Sequence, residues 1–177
     1  MNNPNTLRVK SRSASGEVFY EGYDTASICE NGHLITRNVE THPEHSETFC
    51  SKCGAKTVTA CGHCGQKIRG HLHGTMPSMH DEPIAKFCYN CGGSYLWTEA
   101  ALKAATELIA ESDAFDNEEK ERLTQSLRDV VQDTSRTQVA IMRLQKYLPK
   151  AGKQFADAFR SIVVDIASEA AKKALWP

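Results

Sequence analysis

Apolar residues recur at helical spacing through the second half of the chain. Ala101, Leu102, Ala105, Leu108 and Ile109 form one stripe, and Thr98 stands where an N-cap is expected. Asp116-Asn-Glu-Glu119 has the form of a capping box and opens a second helix, striped by Leu123, Leu127, Val130 and Val131. Ser135-Arg-Thr-Gln138 repeats that form ahead of Val139, Ile141, Met142, Leu144 and Leu148. Pro149 ends or kinks this helix, because its ring clashes with the preceding turn. Phe155, Phe159, Ile162, Val163, Ile166 and Ala170 predict one last helix reaching Leu175, with Lys172 and Lys173 complementing its C-terminal dipole. Four such stripes predict an α-helical bundle with a shared core. The apolar face of the last helix fits that core first, and self-association or a partner helix second. A membrane surface suits it least, since Asp157, Asp165 and Glu169 share its polar face with Arg160, Lys172 and Lys173, whereas membrane-surface helices are mostly basic there.

The first half carries no such stripe. Residues 1–16 are polar, with Asn2, Asn3, Pro4, Asn5 and several serines, and predict a mobile tail. Val18, Phe19 and Tyr20 favour a short strand within Glu17–Tyr23. All seven cysteines and all seven histidines precede Trp97, and no glycine lies between Gly93 and Ala151. This shift divides the chain into a tail with a short strand at 1–26, a loop-rich module at 27–97 and a helical domain at 98–177. The predicted class is α+β.

Charge narrows the function. The chain has 21 basic and 22 acidic residues, so it has no global basic field for nucleic acid or an anionic membrane. Residues 1–96 are balanced as well, with nine of each sign. An odd number of cysteines leaves one unpaired in a pure disulfide framework. Met1 to Lys10 has no apolar signal-like core, and no apolar run suits a membrane span. A reducing, cytoplasmic setting is therefore expected, where thiols stay free or bind metal.

The cysteines fall into ligand pairs. Cys29-Glu-Asn-Gly-His33 is a C-x3-H. Cys50-Ser-Lys-Cys53, Cys61-Gly-His-Cys64 and Cys88-Tyr-Asn-Cys91 are each C-x2-C. A tight C-x2-C turn offers two thiolates to one ion, and two such turns complete the tetrahedron that zinc prefers. Gly54, Gly65 and Gly92 follow the second cysteine in three pairs, and Asn31-Gly32 forms the turn in the first. Cys29, His33, Cys50, Cys53, Cys61, Cys64, Cys88 and Cys91 are thus the expected ligands of two structural zinc ions. Four protein ligands at each site leave no position for a reacting water.

Two pairings are open. Sequential pairing joins the first two knuckles, then the last two, as successive zinc ribbons. Crossed pairing joins the first with the third, as in a RING cross-brace, and the seven-residue gap between the second and third pairs suits it. Sequential pairing is preferred, because each ribbon then keeps its own hairpin and the second and fourth knuckles share Phe-Cys-x-x-Cys-Gly. His42, His45, His63, His71, His73 and His80 compete with His33 for the eighth position. His33 has knuckle spacing from Cys29. His71-Leu-His73 also suggests a group beside a metal or an exposed metal site.

The chain resembles a bacterial family of unknown function that pairs a double zinc ribbon with a helical C-terminal region. Ile28-Cys29-Glu30-Asn31-Gly32-His33, Phe49-Cys50-Ser51-Lys52-Cys53-Gly54-Ala55, Ile68-Arg69-Gly70 and Phe87-Cys88-Tyr89-Asn90-Cys91-Gly92 carry the resemblance. Trp97-Thr98-Glu99 and Ile162-Val163-Val164-Asp165-Ile166-Ala167-Ser168-Glu169 extend it. The chain departs at Gly93-Ser94-Tyr95-Leu96, where the family pattern has prolines. The resemblance implies sequential ribbons and a bacterial cytosolic setting, and it implies no activity.

Three functions are weighed. The first is a non-catalytic adaptor or scaffold for protein partners, with recognition loops at 34–49 and 65–87 and homo-oligomers through the C-terminal helices. The second is nucleic-acid binding through Lys52, Lys56, Lys67 and Arg69, with Arg8, Lys10 and Arg12 in the tail. The third, an enzyme, is the weakest: a RING-like ligase requires crossed pairing, and the chain has no phosphate-binding glycine loop, HExxH or GxSxG.

Overall fold

Short strands held by backbone pairing, rather than long apolar runs, build the first half. The computed structural model describes residues 6–74 and 83–176. His80, part of the 65–87 loop and the start of the tail lie outside them. The chain divides into two compact units, Met1–Trp97 and Thr98–Pro177.

Among its described residues the first unit has six strands: β1 (Arg8–Arg12), β2 (Val18–Thr25), β3 (Ser27–Cys29), β4 (Leu34–Thr36), β5 (Thr57–Val58) and β6 (Arg69–His73). They form two three-stranded antiparallel sheets, ordered β1-β2-β6 and β4-β3-β5. The tail expected over 1–16 is therefore ordered from Arg8 to Arg12, where Arg8 pairs with Glu21 and Arg12 with Val18 across the ladder. Pairing uses main-chain groups that every one of these residues has, so a polar strand leaves little trace in an apolar pattern.

The core of this unit is small. Ala26, Ile28, Cys61, Ile68, Cys88, Tyr95 and Trp97 are buried together, with Leu34, Val58 and Ile84 packed against them. Tyr95 and Trp97 stack with ring centres 4.6 Å apart. The Trp97 indole N–H donates to the Ala85 carbonyl at 3.0 Å. Arg69 lies over the rings of Tyr23 and Tyr89 at 4.7 and 3.7 Å, joining β2 to the fourth knuckle. At Gly70 a Cβ would lie 2.1 Å from the Arg37 carbonyl oxygen. Only glycine lets the 37–41 segment lie this close to β6.

Asp24 pins that segment from the other side. Its Oδ1 accepts from the backbone N–H groups of Thr25 (2.6 Å) and Glu40 (2.8 Å). Its Oδ2 accepts from the N–H (3.2 Å) and hydroxyl (2.6 Å) of Thr41. Burial pushes this carboxyl up, but the donors from Thr41, Glu40 and Thr25 outweigh it and hold Asp24 below the usual carboxylate range.

The C-terminal helices are α1 (Leu96–Glu111), α2 (Asn117–Gln132), α3 (Thr137–Tyr147), α4 (Gly152–Val163) and α5 (Glu169–Leu175). The structure is thus α+β, with small antiparallel sheets followed by helices. Leu123, Leu127, Val130, Ile141, Leu144, Phe159 and Val163 are buried among the described residues of the second unit. The capping box at Asp116 forms in full: its side chain accepts from the Glu119 N–H, and Glu119 accepts from the Asp116 N–H.

Three other terminus expectations change. Thr98 lies inside the first turn of α1, which begins at Leu96. Ser135 forms no box, and Arg136 occupies the N-cap of α3 without a side-chain bond. Thr137 supplies the polar group there instead, accepting from the Thr134 N–H and donating to the Asp129 carbonyl, both at 2.8 Å. The last helix is two helices. Pro149 sits in a 3₁₀ turn, Leu148–Ala151, as its missing N–H requires. A second break follows Val163, and Ser168 caps α5 by accepting from the Ala171 N–H at 3.2 Å. Among the described residues no helix is long and apolar enough to cross a membrane.

Candidate metal centres

Each C-x2-C knuckle is the same local device. The Cys50 N–H donates to the Ala55 carbonyl, the Cys61 N–H to Gln66 and the Cys88 N–H to Gly93, each at 2.8 Å. The glycine N–H then turns back to the first cysteine: Gly54 to Cys50 at 2.7 Å, Gly65 to Cys61 at 2.9 Å, Gly92 to Cys88 at 2.8 Å. Bridges between Phe49 and Lys56, Ala60 and Lys67, and Phe87 and Ser94 close the three hairpins. Gly54, Gly65 and Gly92 have φ of 72–73°. A Cβ at any of them would meet nothing within 4 Å, so the left-handed backbone selects glycine, not crowding. The first pair differs. Gly32, at φ 86°, would place a Cβ 3.0 Å from that of Trp97.

These turns bring the eight expected residues into two quartets. Cys29, His33, Cys50 and Cys53 form one, and Cys61, Cys64, Cys88 and Cys91 the other. Within each, one ligand atom from every residue lies within 4.8 Å of the rest. The pairing is sequential, and the crossed arrangement that suited the short second gap is not formed. That gap spans two adjacent hairpins instead, one from each ribbon.

The spacings fit zinc. A tetrahedral ion with Zn–S bonds of about 2.3 Å holds neighbouring sulfurs about 3.8 Å apart, and a sulfur and an imidazole nitrogen about 3.6 Å apart. The Cys29–Cys53, Cys61–Cys91 and Cys64–Cys88 sulfurs are separated by 3.8, 3.8 and 3.7 Å. His33 Nδ1 lies 3.5, 3.6 and 3.3 Å from the sulfurs of Cys29, Cys50 and Cys53. All seven cysteines are free of disulfides. Both sites are able to hold a zinc ion, one through three thiolates and an imidazole, the other through four thiolates.

Polar groups around the sulfurs favour the ionised form, although burial pushes the Cys29 thiol up. The His33 N–H donates to Cys29 Sγ at 3.2 Å. Asn31 in the first knuckle donates its side-chain amide to Cys53 Sγ at 3.5 Å, and Asn90 in the fourth donates to Cys64 Sγ at 3.6 Å. Each quartet thus has one asparagine reaching across to the opposite knuckle. The Ala55 N–H, then Asn31, bring the Cys53 thiol down to about 6. Burial pushes Cys88 up, yet the N–H groups of Cys91 and Asn90 and the thiols of Cys64 and Cys61 bring it to about 6. The Gly93 N–H lowers Cys91, but the sulfurs of Cys64, Cys88 and Cys61 push it to about 11. Four thiols side by side do not all ionise alone, and a divalent cation supplies the balancing charge.

The other histidines have separate surroundings. His63 places Nε2 3.1 Å from the Ser94 carbonyl oxygen. A Cβ on Gly93 would lie 2.8 Å from the His63 ring, so the unexpected Gly93 makes room for this contact. His42 and His45 stack in the open, 5.4 Å between ring centres. His71 and His73 meet edge to face at 4.7 Å, and His73 Nε2 lies 3.4 Å from Asp24 Oδ2. The role of Asp24 was not legible in the sequence, where a lone acid follows Gly22-Tyr23 without a motif.

A family model described as "Uncharacterized protein conserved in bacteria (DUF2321)" matches residues 22–175. No curated protein matches the chain. No solved structure matches it either.

Proposed function

We propose that this chain, which belongs to the bacterial family DUF2321, is a non-catalytic zinc-dependent adaptor that binds other proteins. The observation carrying this reading is that both metal quartets are filled by protein groups. A zinc ion held by four side chains has no vacant position for a reacting water, so it supports shape rather than chemistry. The knuckles then serve as rigid mounts. Phe49, 62% exposed, stands immediately before Cys50 on such a mount, where a large apolar side chain suits protein contact. On α3, Val139 and Met142 are exposed one turn apart and suit a partner or a second copy of the chain. Seven free thiols suit a reducing cytoplasm.

Nucleic-acid binding is the second reading, and it draws less support. Lys67 is paired with Glu40 at 2.5 Å, Arg8 with Glu21 at 2.6 Å, and Arg69 is stacked on two tyrosines. The sequential pairing removes the basis for a RING-like ligase.

Affinity purification from the native host, with and without nuclease, tests the proposal. A defined protein partner that survives nuclease and is lost from a Phe49→Ala variant retaining both zinc ions supports the adaptor reading. Recovery of nucleic acid, with every protein partner lost after nuclease, contradicts it.

A further inference from the structure

A pair of histidines stands apart from the two quartets, on the edge strand β6. His71 and His73 are two residues apart on this strand, and alternation puts both on one face. Their rings meet at 89°, with centres 4.7 Å apart. An ion held by imidazole nitrogens at about 2.1 Å lies roughly 3.2 Å from each ring centre, so two such ligands at 90–110° have centres about 4.5–5.2 Å apart. The observed separation permits that geometry.

Asp24 gives the pair its direction. It lies on the neighbouring strand β2 and is buried. Each of its oxygens already accepts hydrogen bonds: Oδ1 from Thr25 and Glu40, Oδ2 from Thr41 twice. A carboxylate so fully engaged is poorly placed to bind an ion itself. It faces His73 Nε2 at 3.4 Å. A carboxylate there keeps the proton on Nε2 and leaves the Nδ1 lone pair for a metal, the usual arrangement behind a metal-ligating histidine. The backbone holds the pair in place. The His71 N–H donates to the Arg37 carbonyl at 2.9 Å. Gly22, opposite His73 in the ladder, carries no side chain, and the Tyr20 ring packs beside that of His73 with centres 5.7 Å apart.

We propose that His71 and His73 form an open site for a divalent transition-metal ion, with Asp24 orienting His73 and water completing the coordination shell. Two imidazoles select for zinc, nickel or copper over magnesium or calcium. Unlike the two quartets, this site keeps positions free. Its ion exchanges readily, and an outside ligand can enter the shell.

Calorimetric titration of Ni²⁺ into untagged protein holding two zinc ions tests the site, with released zinc counted in parallel. One Ni²⁺ per chain is expected to bind without displacing zinc. His71→Ala and His73→Ala should each weaken it at least tenfold while retaining both zinc ions, and Asp24→Asn should weaken it about 10- to 100-fold. The two histidine variants carry the test if the Asp24 variant fails to fold. A variant lacking the exposed His42 and His45 pair should bind as the parent does. The proposal is overturned if no Ni²⁺ binds at millimolar concentration, or if binding appears only as zinc is released. It is equally overturned if binding survives loss of both His71 and His73, or disappears with His42 and His45.

Discussion

Gly70 shows how a single position can decide a local fold. A methyl group there would sit 2.1 Å from a backbone oxygen, so Gly70→Ala must push β6 and the Arg37 segment apart. Gly54→Ala meets no neighbour and bears only the left-handed backbone, about 1–2 kcal/mol. Thermal unfolding of the zinc-loaded variants should show the larger loss for Gly70→Ala, and equal losses would contradict this account of the close approach. Asp24 adds a pH dependence with a definite sign. Its folded pKa is depressed, so its contribution is present above the unfolded value near 4 and is lost as pH falls through the folded one. Asp24→Asn should lower stability at pH 7 by about 1–3 kcal/mol, since an amide cannot accept at both positions. The gap in denaturant midpoint between parent and variant should be full at pH 7 and should shrink only as pH falls below about 4. An unchanged gap would show that Asp24 is not the charged group described. No sequence motif announces Asp24, because its partners at Glu40, Thr41 and His73 are distant in the chain.

Elements were legible where a local rule had no rival. The knuckles are such elements, since cysteine spacing and glycine leave one turn geometry. The Asp116 box is another, and Asp116→Ala should cost about 1 kcal/mol in chemical denaturation of the second unit. A negligible change would mean that the box closes without adding stability. Ser135 had the same pattern but lost to Thr137, whose hydroxyl bonds the Asp129 carbonyl, a contact between two helices that no single-helix rule contains. The break after Val163 was missed because the apolar stripe runs on through Ile166 and Ala170 at helical period. Ser168 with Glu169 behind it was the available signal, an N-cap followed by an acid in the first turn. Ser168→Ala should loosen α5, seen as faster amide exchange at Ala171 and Lys172, and unchanged exchange would count against the cap. Strand β1 was hidden for the opposite reason, as its side chains are polar and its pairing is main-chain.

At the scale of the whole molecule, the two units are stabilised by different means. Among the described residues the main core of the first holds seven buried residues, and two of them, Cys61 and Cys88, belong to the metal quartets. Such a core cannot offset the ordering of so many loop residues alone. Zinc at a structural site supplies about 10–16 kcal/mol of apparent binding energy, which adds to that core. The second unit packs apolar helix faces and has no such dependence. A strong chelator should therefore abolish the dispersed amide signals of residues 27–97 in NMR spectra while leaving helical far-UV dichroism largely intact. Loss of thiolate ligation should likewise release zinc as pH falls, since every ligand must give up or withhold a proton to bind. The cysteines, histidines and glycines of the first half, against a glycine-free helical stretch, mark the shift in composition. The choice between sequential and crossed ligands needed the folded chain, because both use the same eight residues.

Native mass spectrometry of the chain after dialysis counts the bound ions and the cysteine hydrogens together. Two zinc ions per chain and seven reduced cysteines are expected, falling to one ion in a Cys88→Ser variant. A parent mass with no zinc, or one lowered by the hydrogens lost to disulfides, would contradict that expectation.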